Sequence, residues 1–341
     1  MARRIFFIIL AMTVMSFLTA GAGICAGEKV IELNYATFVP PMHKHCQLGE
    51  SWAKEIEKRT GGKVKISYYP SGMLLQANQI YSGILGGVAD IGMSCFSYTS
   101  GRFTAMEAID LPLGYTSGEI ATYVINDFYK EFRPKELDDV KILYLHAHGP
   151  GILHSKKPVY NLEDLKGLKI RSTGNSAKVT KLLGATPVAM PIGEAYEALR
   201  TGVAEAIFMP IEGLKQWKMA DVVKYTEECY SISYTTGFFV AMNKNKWNSL
   251  PPDIQKVFEE VSAAWIPQHA KAWDANDEEG RQYALGLGGK IITLSPEESA
   301  RWERAVKPVV ADYIDMAEKK DLPGKKYIKT IKKLIKKYEK K

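Results

Sequence analysis

One stretch, residues 159–210, constrains the fold of this chain more than any other. Three short apolar runs alternate there with two helical segments, in the order β-α-β-α-β. Alternation of strands and helices is typical of a parallel sheet that is covered by helices. The stretch therefore predicts an α/β fold.

A single arginine, Arg171, ends the first of these predicted strands, and a helix follows with Asn175 or Ser176 as its expected N-cap. Ligands of open α/β sheets bind outside the carboxyl ends of the strands, and a helix N-terminus favours an anion. The position of Arg171 therefore predicts an anion site. A structural salt bridge with Glu163 or Asp164 explains the same pattern, so the residues alone leave both interpretations open.

The first 26 residues have the pattern of a secretory signal peptide. Two arginines precede an apolar run, residues 5–18, and small residues follow this run through Ala26. The apolar run is too short to span a membrane. We therefore expect residues 1–26 to be removed and the mature protein to be exported to the periplasm.

The net charge of +7 is concentrated at the two ends of the chain. Residues 325–341 contain nine lysines and one glutamate, and two arginines lie in the predicted signal peptide. Without these contributions of +8 and +2, the body of the protein carries −3. This argues against a nucleic-acid-binding protein, whose basic surface would belong to the folded body.

The basic tail, residues 325–341, has apolar residues at a helical spacing, at positions 327, 328, 331, 334, 335 and 338. This pattern predicts a surface helix that docks through its apolar stripe and leaves its lysines in solvent. A contact with anionic lipid or an acidic partner is the alternative.

A weak internal repeat indicates two similar α/β lobes. Residues 81–90 and 196–205 share a tyrosine, then Gly-Val-Ala and an acidic residue, at an offset of 115 positions. Each copy reads as a helix, a glycine stop and a strand. We expect the chain to cross between the lobes at residues 148–151 and again within residues 231–242.

Two long helices are expected late in the chain. One begins near Pro251 and ends near Leu285, and Pro267 inside it predicts a kink. This kinked helix could lie across both lobes. The other is capped by Ser295 and reaches Lys320.

These observations together predict the following organisation. Residues 1–26 form the signal peptide, and residues 27–149 plus about 238–280 form lobe I. Residues 150–237 plus about 281–324 form lobe II, and residues 325–341 form the basic C-terminal helix.

Motifs for catalysis or cofactor binding are missing from the sequence. It contains neither G-x-S-x-G nor G-x-G-x-x-G, and its glutamates do not form a recognisable acid/base pair. The pairs His43/His45 and His146/His148 could suggest a metal site, but no carboxylate stands at a short spacing from them. We therefore predict no catalytic residue, no cofactor and no metal.

Three widely spaced cysteines follow the predicted signal peptide, namely Cys46, Cys95 and Cys229. They do not form a disulfide framework or a metal knuckle. We interpret them mainly as packed thiols, and one disulfide stays open as an alternative.

A set of segments along the mature chain closely resembles one family, the TRAP transporter periplasmic solute-binding proteins (DctP family). The central segments are LKGLKIR at 165–171, LGATP at 183–187, Met190-Pro191 and EAYEALRTGV at 194–203. Further matches are KVKISYYPSG at 63–72, Leu111-Pro112, Met242-Asn243 and LPPD at 250–253.

This resemblance implies a two-lobed periplasmic binding protein (Venus-flytrap) fold that binds an organic acid in a cleft, which closes around the ligand. The arginine of the family matches Arg171 and holds the ligand carboxylate. The resemblance also implies delivery of the ligand to a membrane permease pair that is driven by an ion gradient.

Two departures from the family bear on the ligand. Met209 stands where many members have a polar asparagine, and Gly151 stands where the sialic-acid-binding members have a second arginine. Sialic acid is therefore not expected. One carboxylate clamp with apolar walls suits a monocarboxylate with a hydrophobic or aromatic body.

Other positions fall near the cleft of the family, although aromatic residues there could equally belong to the core. The predicted ligand-binding set is Arg171, Met209, Phe38, Phe96, Gly151, Asn175, Ile192 and Tyr234.

The leading hypothesis is thus a periplasmic binding protein for an organic acid, not an enzyme. Two alternatives use the same scaffold: an exported enzyme, and a sensor module that presents its ligand to a membrane receptor. The sequence leaves the ligand, its affinity and the oligomeric state open.

Overall fold

The computed structural model describes residues 30–99 and 101–340. The predicted signal peptide, residues 1–26, lies outside the described residues. Among the helices that are described, none is both long and apolar enough to cross a membrane.

Eleven strands are present in the described part of the chain. They are β1 Ile31–Thr37, β2 Val64–Tyr69, β3 Ile91–Cys95, β4 Val140–Ala147, β5 Gly151–Ser155, β6 Lys169–Ser172, β7 Thr186–Ala189, β8 Ala206–Pro210, β9 Tyr225–Glu228, β10 Gly237–Asn243 and β11 Lys290–Thr293.

Eleven α-helices lie between and after these strands in the same part of the chain. They are α1 Lys44–Arg59, α2 Ile80–Leu85, α3 Gly118–Phe132, α4 Gly174–Leu182, α5 Ile192–Thr201, α6 Gly213–Gln216, α7 Lys244–Ser249, α8 Pro252–Gly286, α9 Pro296–Val306, α10 Pro308–Glu318 and α11 Gly324–Tyr338.

The strands form two separate sheets. The first has the order β2-β1-β3-β10-β4, and the second has the order β11-β9-β5-β8-β6-β7. In the first, β1 runs parallel to β2 and β3, while β10 is antiparallel to β3 and β4. In the second, β6 runs parallel to β7 and β8, while β5 is antiparallel to β8 and β9. The predicted α/β class is confirmed.

The chain passes between the two sheets in the segments after β4, after β9 and after β10, because β5, β10 and β11 each join the other sheet. The first two of these segments touch, since the hydroxyl of Thr235 donates to the carbonyl of His148 at 2.6 Å. The lobe boundaries given above stay a prediction.

The two copies of the internal repeat occupy matching places. Helix α2 leads through Gly87 to β3, and helix α5 leads through Gly202 to β8. Both glycines have a positive φ, 74° and 83°, which glycine adopts without steric cost at a helix end. Strand β3 is a parallel neighbour of β1, and strand β8 is a parallel neighbour of β6. The repeat therefore marks the same local structure in each sheet.

The long helix α8 contacts elements of both sheets. It packs against α1, α3 and β4 on the side of the first sheet and against α6, which follows β8 of the second. Pro267 lies inside this helix, at the position where the sequence predicts a kink.

The predicted helix from Ser295 to Lys320 is wrong, because two helices, α9 and α10, occupy this segment. Pro308 is the first residue of α10. Proline has no amide proton to donate to the preceding turn, so it is tolerated at a helix start but not in an interior.

The C-terminal helix α11 docks through its apolar stripe, as the first of the two interpretations predicts. Tyr327, Ile331 and Ile335 are buried, and the helix packs against α3. Among the described residues of the tail, Lys337 pairs with Asp127 at 2.8 Å and Lys325 pairs with Glu318 at 3.4 Å. The helix is therefore part of the folded core.

The three cysteines that follow the signal peptide are free and buried. Burial raises the pKa of Cys46 to about 11 and that of Cys95 and Cys229 to about 12. They are packed thiols, and the alternative of a disulfide among them is wrong.

Candidate functional site

A cavity lies where the carboxyl ends of strands from both sheets face each other. The first sheet contributes Phe38, which follows β1, and Tyr98, which follows β3. The second contributes Arg171 near the end of β6 and Met209 near the end of β8. The empty space measures about 600 Å³, a value that includes open solvent at its mouth.

Arg171 is fixed by its own backbone surroundings. Its side chain is buried, and both Nε and Nη2 donate to the carbonyl oxygen of Met190, at 3.0 and 2.8 Å. These bonds use one edge of the planar guanidinium. The Nη1 group and the second proton of Nη2 remain on the other edge, in the fork geometry that matches a carboxylate.

The salt-bridge interpretation of Arg171 is wrong. Glu163 pairs instead with Arg301 at 2.5 Å, and Asp164 caps the turn that Asn161 begins. Within the described part of the chain, no carboxylate pairs with Arg171. A buried cation without a counter-ion is costly, and a bound anion removes this cost.

Two phenols lie beside Arg171. The hydroxyl oxygen of Tyr98 accepts from the amide of Ile192 at 2.9 Å, so its proton is free for another acceptor. Burial raises the pKa of Tyr98 and of Tyr234, and the nearby Arg171 cation opposes this shift in both. Both hydroxyls therefore stay protonated at neutral pH and can donate to an anion that Arg171 holds.

Seven rings surround the cavity, each in contact with the next. Their successive centroid distances are 5.5, 6.2, 5.6, 6.3, 6.1 and 5.5 Å. The series begins and ends at the two tyrosines beside Arg171, and all seven rings line the cavity. We call it the ring girdle; in order, its members are Tyr98, Phe38, Trp217, His43, Trp273, His148 and Tyr234.

Three further imidazoles, of His45, His146 and His269, stack on one another next to the cavity. Their ring planes lie within 15° of parallel, at centroid distances of 4.3 to 5.4 Å. Burial and the neighbouring imidazoles lower the pKa of His45 and His146 well below 6.5, and burial lowers that of His269 to about 3. The stack is therefore neutral at neutral pH.

One nitrogen from each ring of this stack lies within 4.8 Å of the others, a spacing that a metal site would need. Two of these rings already use a nitrogen on each other, because the Nδ1 atoms of His45 and His269 lie 2.8 Å apart in a hydrogen bond. The arrangement is that of a hydrogen-bonded histidine cluster.

Comparison with known proteins gives the family. The model of the bacterial extracellular solute-binding proteins, family 7 (DctP), matches residues 35–316. The chain belongs to this DctP family.

Solved TRAP solute-binding proteins have the same two-lobed fold as this DctP family member. One from Rhodoferax ferrireducens, in complex with copurified benzoate, is 28% identical with a TM-score of 0.86, over 91% of this chain and 99% of that one. A marine metagenome protein from an unidentified microbe, specific for aromatic acid ligands and in complex with metahydroxyphenylacetate, is 30% identical with a TM-score of 0.86, over 90% and 99% of the two chains. The predicted two-lobed architecture is confirmed.

A curated relative shows the breadth of the family. The C4-dicarboxylate-binding periplasmic protein DctP of Vibrio cholerae is 26% identical over 311 residues, which cover 87% of this chain and 90% of that one. Family membership alone therefore does not select the ligand of this DctP protein.

Five of the eight residues in the predicted ligand-binding set line the cavity. They are Arg171, Met209, Phe38, Ile192 and Tyr234. They come from the sides of both sheets and, in Tyr234, from the crossing segment after β9, and the fold brings them together around one space.

The other three residues of the set do not line the cavity. Phe96 is buried in the core, where its ring packs against Phe103 and Phe239. Gly151 lies against the ring of Tyr234, and a Cβ atom there would come within 2.3 Å of that ring.

Asn175 is the third of these residues, and it also does not cap helix α4. The cap is Thr173, whose amide donates to the hydroxyl of Ser176 at 2.9 Å. The side-chain amide of Asn175 donates instead to the carbonyl of Glu107 at 2.9 Å, in the segment between β3 and β4.

Sequence reasoning missed several residues of the ring girdle. Tyr98 follows β3 as Arg171 follows β6, so strand-end position could have identified it. His146 and His148 were considered only as metal ligands, yet both line the cavity. Trp273 lies on α8, about a hundred positions from Arg171, and its arrival at the cavity depends on the packing of the whole helix.

Proposed function

We propose that this protein is the extracytoplasmic solute-binding protein of a TRAP transporter and that it captures an aromatic or apolar monocarboxylate. Arg171 binds the carboxylate through its free edge, and the two neighbouring phenols add hydrogen bonds. The observation that carries this proposal is a buried arginine without a counter-ion that faces an aromatic-walled cavity.

A single carboxylate fits the charges of the cavity better than two. Arg171 is the one lysine or arginine among the described residues that line it, and Glu212 is also in the lining. Glu212 would repel a second carboxylate, because like charges in a buried site raise the free energy of binding. The charge pattern therefore favours a monocarboxylate over a C4-dicarboxylate.

The walls favour a flat or apolar body for the ligand. The ring girdle offers faces and edges at distances where aromatic rings stack or meet edge to face. Similar proteins in complex with benzoate and with metahydroxyphenylacetate support an aromatic acid for this chain as well.

We propose that the protein holds its ligand by closing two lobes around it. Contacts across the cavity join segments of the two sheets, such as Tyr98 to Ile192 and His43 to Glu212. A ligand that touches both sides shifts a hinge equilibrium towards the closed state. Release to a membrane permease would then require reopening.

The proposed setting is the periplasm, and the proposed partners are the permease subunits of the transporter. The relatives are periplasmic binding proteins, and the predicted signal peptide agrees with this. Two membrane-protein genes next to the gene of this protein would support transport. Conversion of a bound acid into a product would contradict it and favour an enzyme.

A thermal-shift and calorimetry panel tests the proposal. We expect benzoate and phenylacetate to raise the unfolding midpoint, because a ligand of the native state stabilises it by mass action. Succinate should give a smaller shift, and benzamide, which keeps the ring but has no charge, should give none. Equal shifts with benzamide and benzoate, or binding of succinate alone, would contradict the proposal.

A further inference from the structure

The point of the ring girdle opposite Arg171 carries a second polar group. Starting from Arg171, one direction passes Tyr98, Phe38 and Trp217 before it reaches His43. The other direction passes Tyr234, His148 and Trp273 before it reaches the same residue. His43 is therefore separated from Arg171 by three rings in each direction along the girdle.

His43 stands next to Glu212 at this far side. The two residues are 2% and 3% exposed, and the His43 Nε2 and Glu212 Oε2 atoms lie 3.2 Å apart. The Nδ1 atom of His43 accepts from the amide of His45 at 3.2 Å, where it caps helix α1. Since Nδ1 accepts, the donor of the ring is Nε2, the nitrogen on the side of the glutamate.

Glu212 keeps acceptor capacity that the protein does not use. Its Oε2 atom is buried and has no hydrogen-bond partner, because the contact with His43 is close but not aligned as a hydrogen bond. A carboxylate offers about four lone-pair sites, so even a realigned His43 would fill only one. Buried acceptors left without donors are costly and uncommon in native proteins.

The unpaired Oε2 atom of Glu212 determines which ligand groups can bind there. A carboxylate needs a donor, and a ligand whose own carboxylate is held by Arg171 must bring this donor at its opposite end. The body between the two ends must be compatible with the ring girdle. A hydroxyl on an aromatic ring meets these requirements, because it donates one hydrogen bond and adds no second negative charge.

We propose that Glu212 and His43 form a second subsite that binds a ring hydroxyl remote from the carboxylate. The inference rests on the proposed function and narrows its ligand to a hydroxylated aromatic monocarboxylate. The hydroxyl donates to Glu212 Oε2, and the Nε2–H group of His43 orients the carboxylate that receives it.

Calorimetry with phenylacetate, 3-hydroxyphenylacetate and 4-hydroxyphenylacetate tests this subsite. We expect the better hydroxylated isomer to bind at least about tenfold more tightly than phenylacetate, because a site that is built for a hydroxyl discriminates against its absence. 4-(Aminomethyl)benzoate is included, and tighter binding of this ammonium compound than of both hydroxylated acids would overturn the assignment to a hydroxyl.

Two variants separate a ligand contact from a structural role. Glu212→Gln keeps the shape but loses the charge, and it should remove most of the tenfold gain, with a much larger loss of affinity for the hydroxylated acid than for phenylacetate. His43→Asn keeps an N-cap side chain for α1 and should reduce the same gain. If Glu212→Gln does not fold, as judged by circular dichroism, His43→Asn decides the question.

The outcomes distinguish this inference from the proposed function. If phenylacetate binds through Arg171 but a hydroxyl adds nothing in the wild-type protein, the second subsite is wrong and the proposed function stands. An equal loss for all three acids in both variants gives Glu212 a structural role and also overturns the subsite. If no acid of the panel binds, the proposed function itself fails.

Discussion

At the scale of single residues, Glu227 shows how strongly the interior of this protein disfavours an ionised side chain. The residue lies on β9, fully buried, where Ser155 donates to its Oε1 atom at 2.6 Å. Burial raises the pKa of its carboxyl to about 8, and the hydrogen bonds only partly oppose this shift. At neutral pH the folded protein therefore holds Glu227 mainly in the protonated form.

This shift predicts a pH-dependent difference between the wild-type protein and Glu227→Gln. Between about pH 4.5 and 8, the folded wild-type protein keeps a proton that the unfolded chain releases. Its free energy of unfolding should therefore fall as the pH rises, by up to about 1.4 kcal/mol per unit from this group. The Glu227→Gln variant lacks this pH dependence. Its free energy of unfolding should therefore increase with pH relative to that of the wild-type protein, and the difference should level off above pH 8.

Denaturant unfolding at pH 5, 6, 7 and 8 measures the difference. Glu303→Gln, at an exposed position of α9, is the matched control, and its curve should run parallel to that of the wild-type protein. A Glu227→Gln curve that also runs parallel would show that Glu227 is ionised in the folded state.

The candidate site could be predicted from the sequence where it depends on strand ends. Arg171 and Met209 lie near the ends of parallel neighbours, so the local pattern places them on one edge of a sheet. The prediction that Phe96 lines the cavity is wrong. Its neighbours Cys95 and Ser97 line the cavity, while its own side chain points into the core. Which side a strand-end residue faces depends on packing that the local sequence does not contain.

At the scale of elements, the boundaries follow the residues that cannot continue a helix or strand. Strand β1 ends at Thr37, shortly before the two prolines at 40 and 41, and β4 ends at Ala147, shortly before Gly149 and Pro150. The prediction of one helix that continues past Lys307 is wrong, because a new helix begins at Pro308. Proline has no amide proton for the hydrogen bond to the preceding turn, so Pro308 itself marks a helix start in the sequence.

The basic tail shows why composition alone is a poor guide to function. Its lysines dominate the net charge of the chain, yet the apolar stripe of α11 is buried against the body. A helix with so strong an amphipathic pattern gains its stability from packing of the apolar face. The charge is a solvated surface of a docked helix and carries no separate evidence for a nucleic-acid partner.

At the scale of the whole molecule, the two sheets are held across the cavity by contacts that do not involve a ligand. Asn175, on the segment between β6 and β7, donates to the carbonyl of Glu107, on the segment between β3 and β4. Both residues are buried. In the proposed closure, such a contact would stabilise the closed arrangement and contribute to affinity from outside the cavity.

We predict that Asn175→Ala weakens ligand binding by roughly two- to tenfold, because one hydrogen bond is worth about 0.5–1.5 kcal/mol. The loss acts through the population of the closed state. Small-angle X-ray scattering should show that the variant needs more ligand than the wild-type protein to become compact.

Asn126→Ala is the matched control for this variant. Asn126 also donates to a backbone carbonyl, that of Leu145, but both residues belong to the side of the first sheet. This substitution should lower stability and leave affinity unchanged. Equal losses of affinity in the two variants would contradict a role of Asn175 in closure.

The central claim is that Arg171 holds the carboxylate of the ligand, and calorimetry with benzoate and phenylacetate tests it most directly. The proteins to compare are the wild type, Arg171→Ala and Arg200→Ala, the last an exposed arginine that pairs with Glu197 on α5. We predict that Arg171→Ala stays folded but loses at least about 100-fold in affinity, because two charge-assisted hydrogen bonds disappear. Arg200→Ala should bind like the wild type. A folded Arg171→Ala protein with the wild-type Kd would contradict the account.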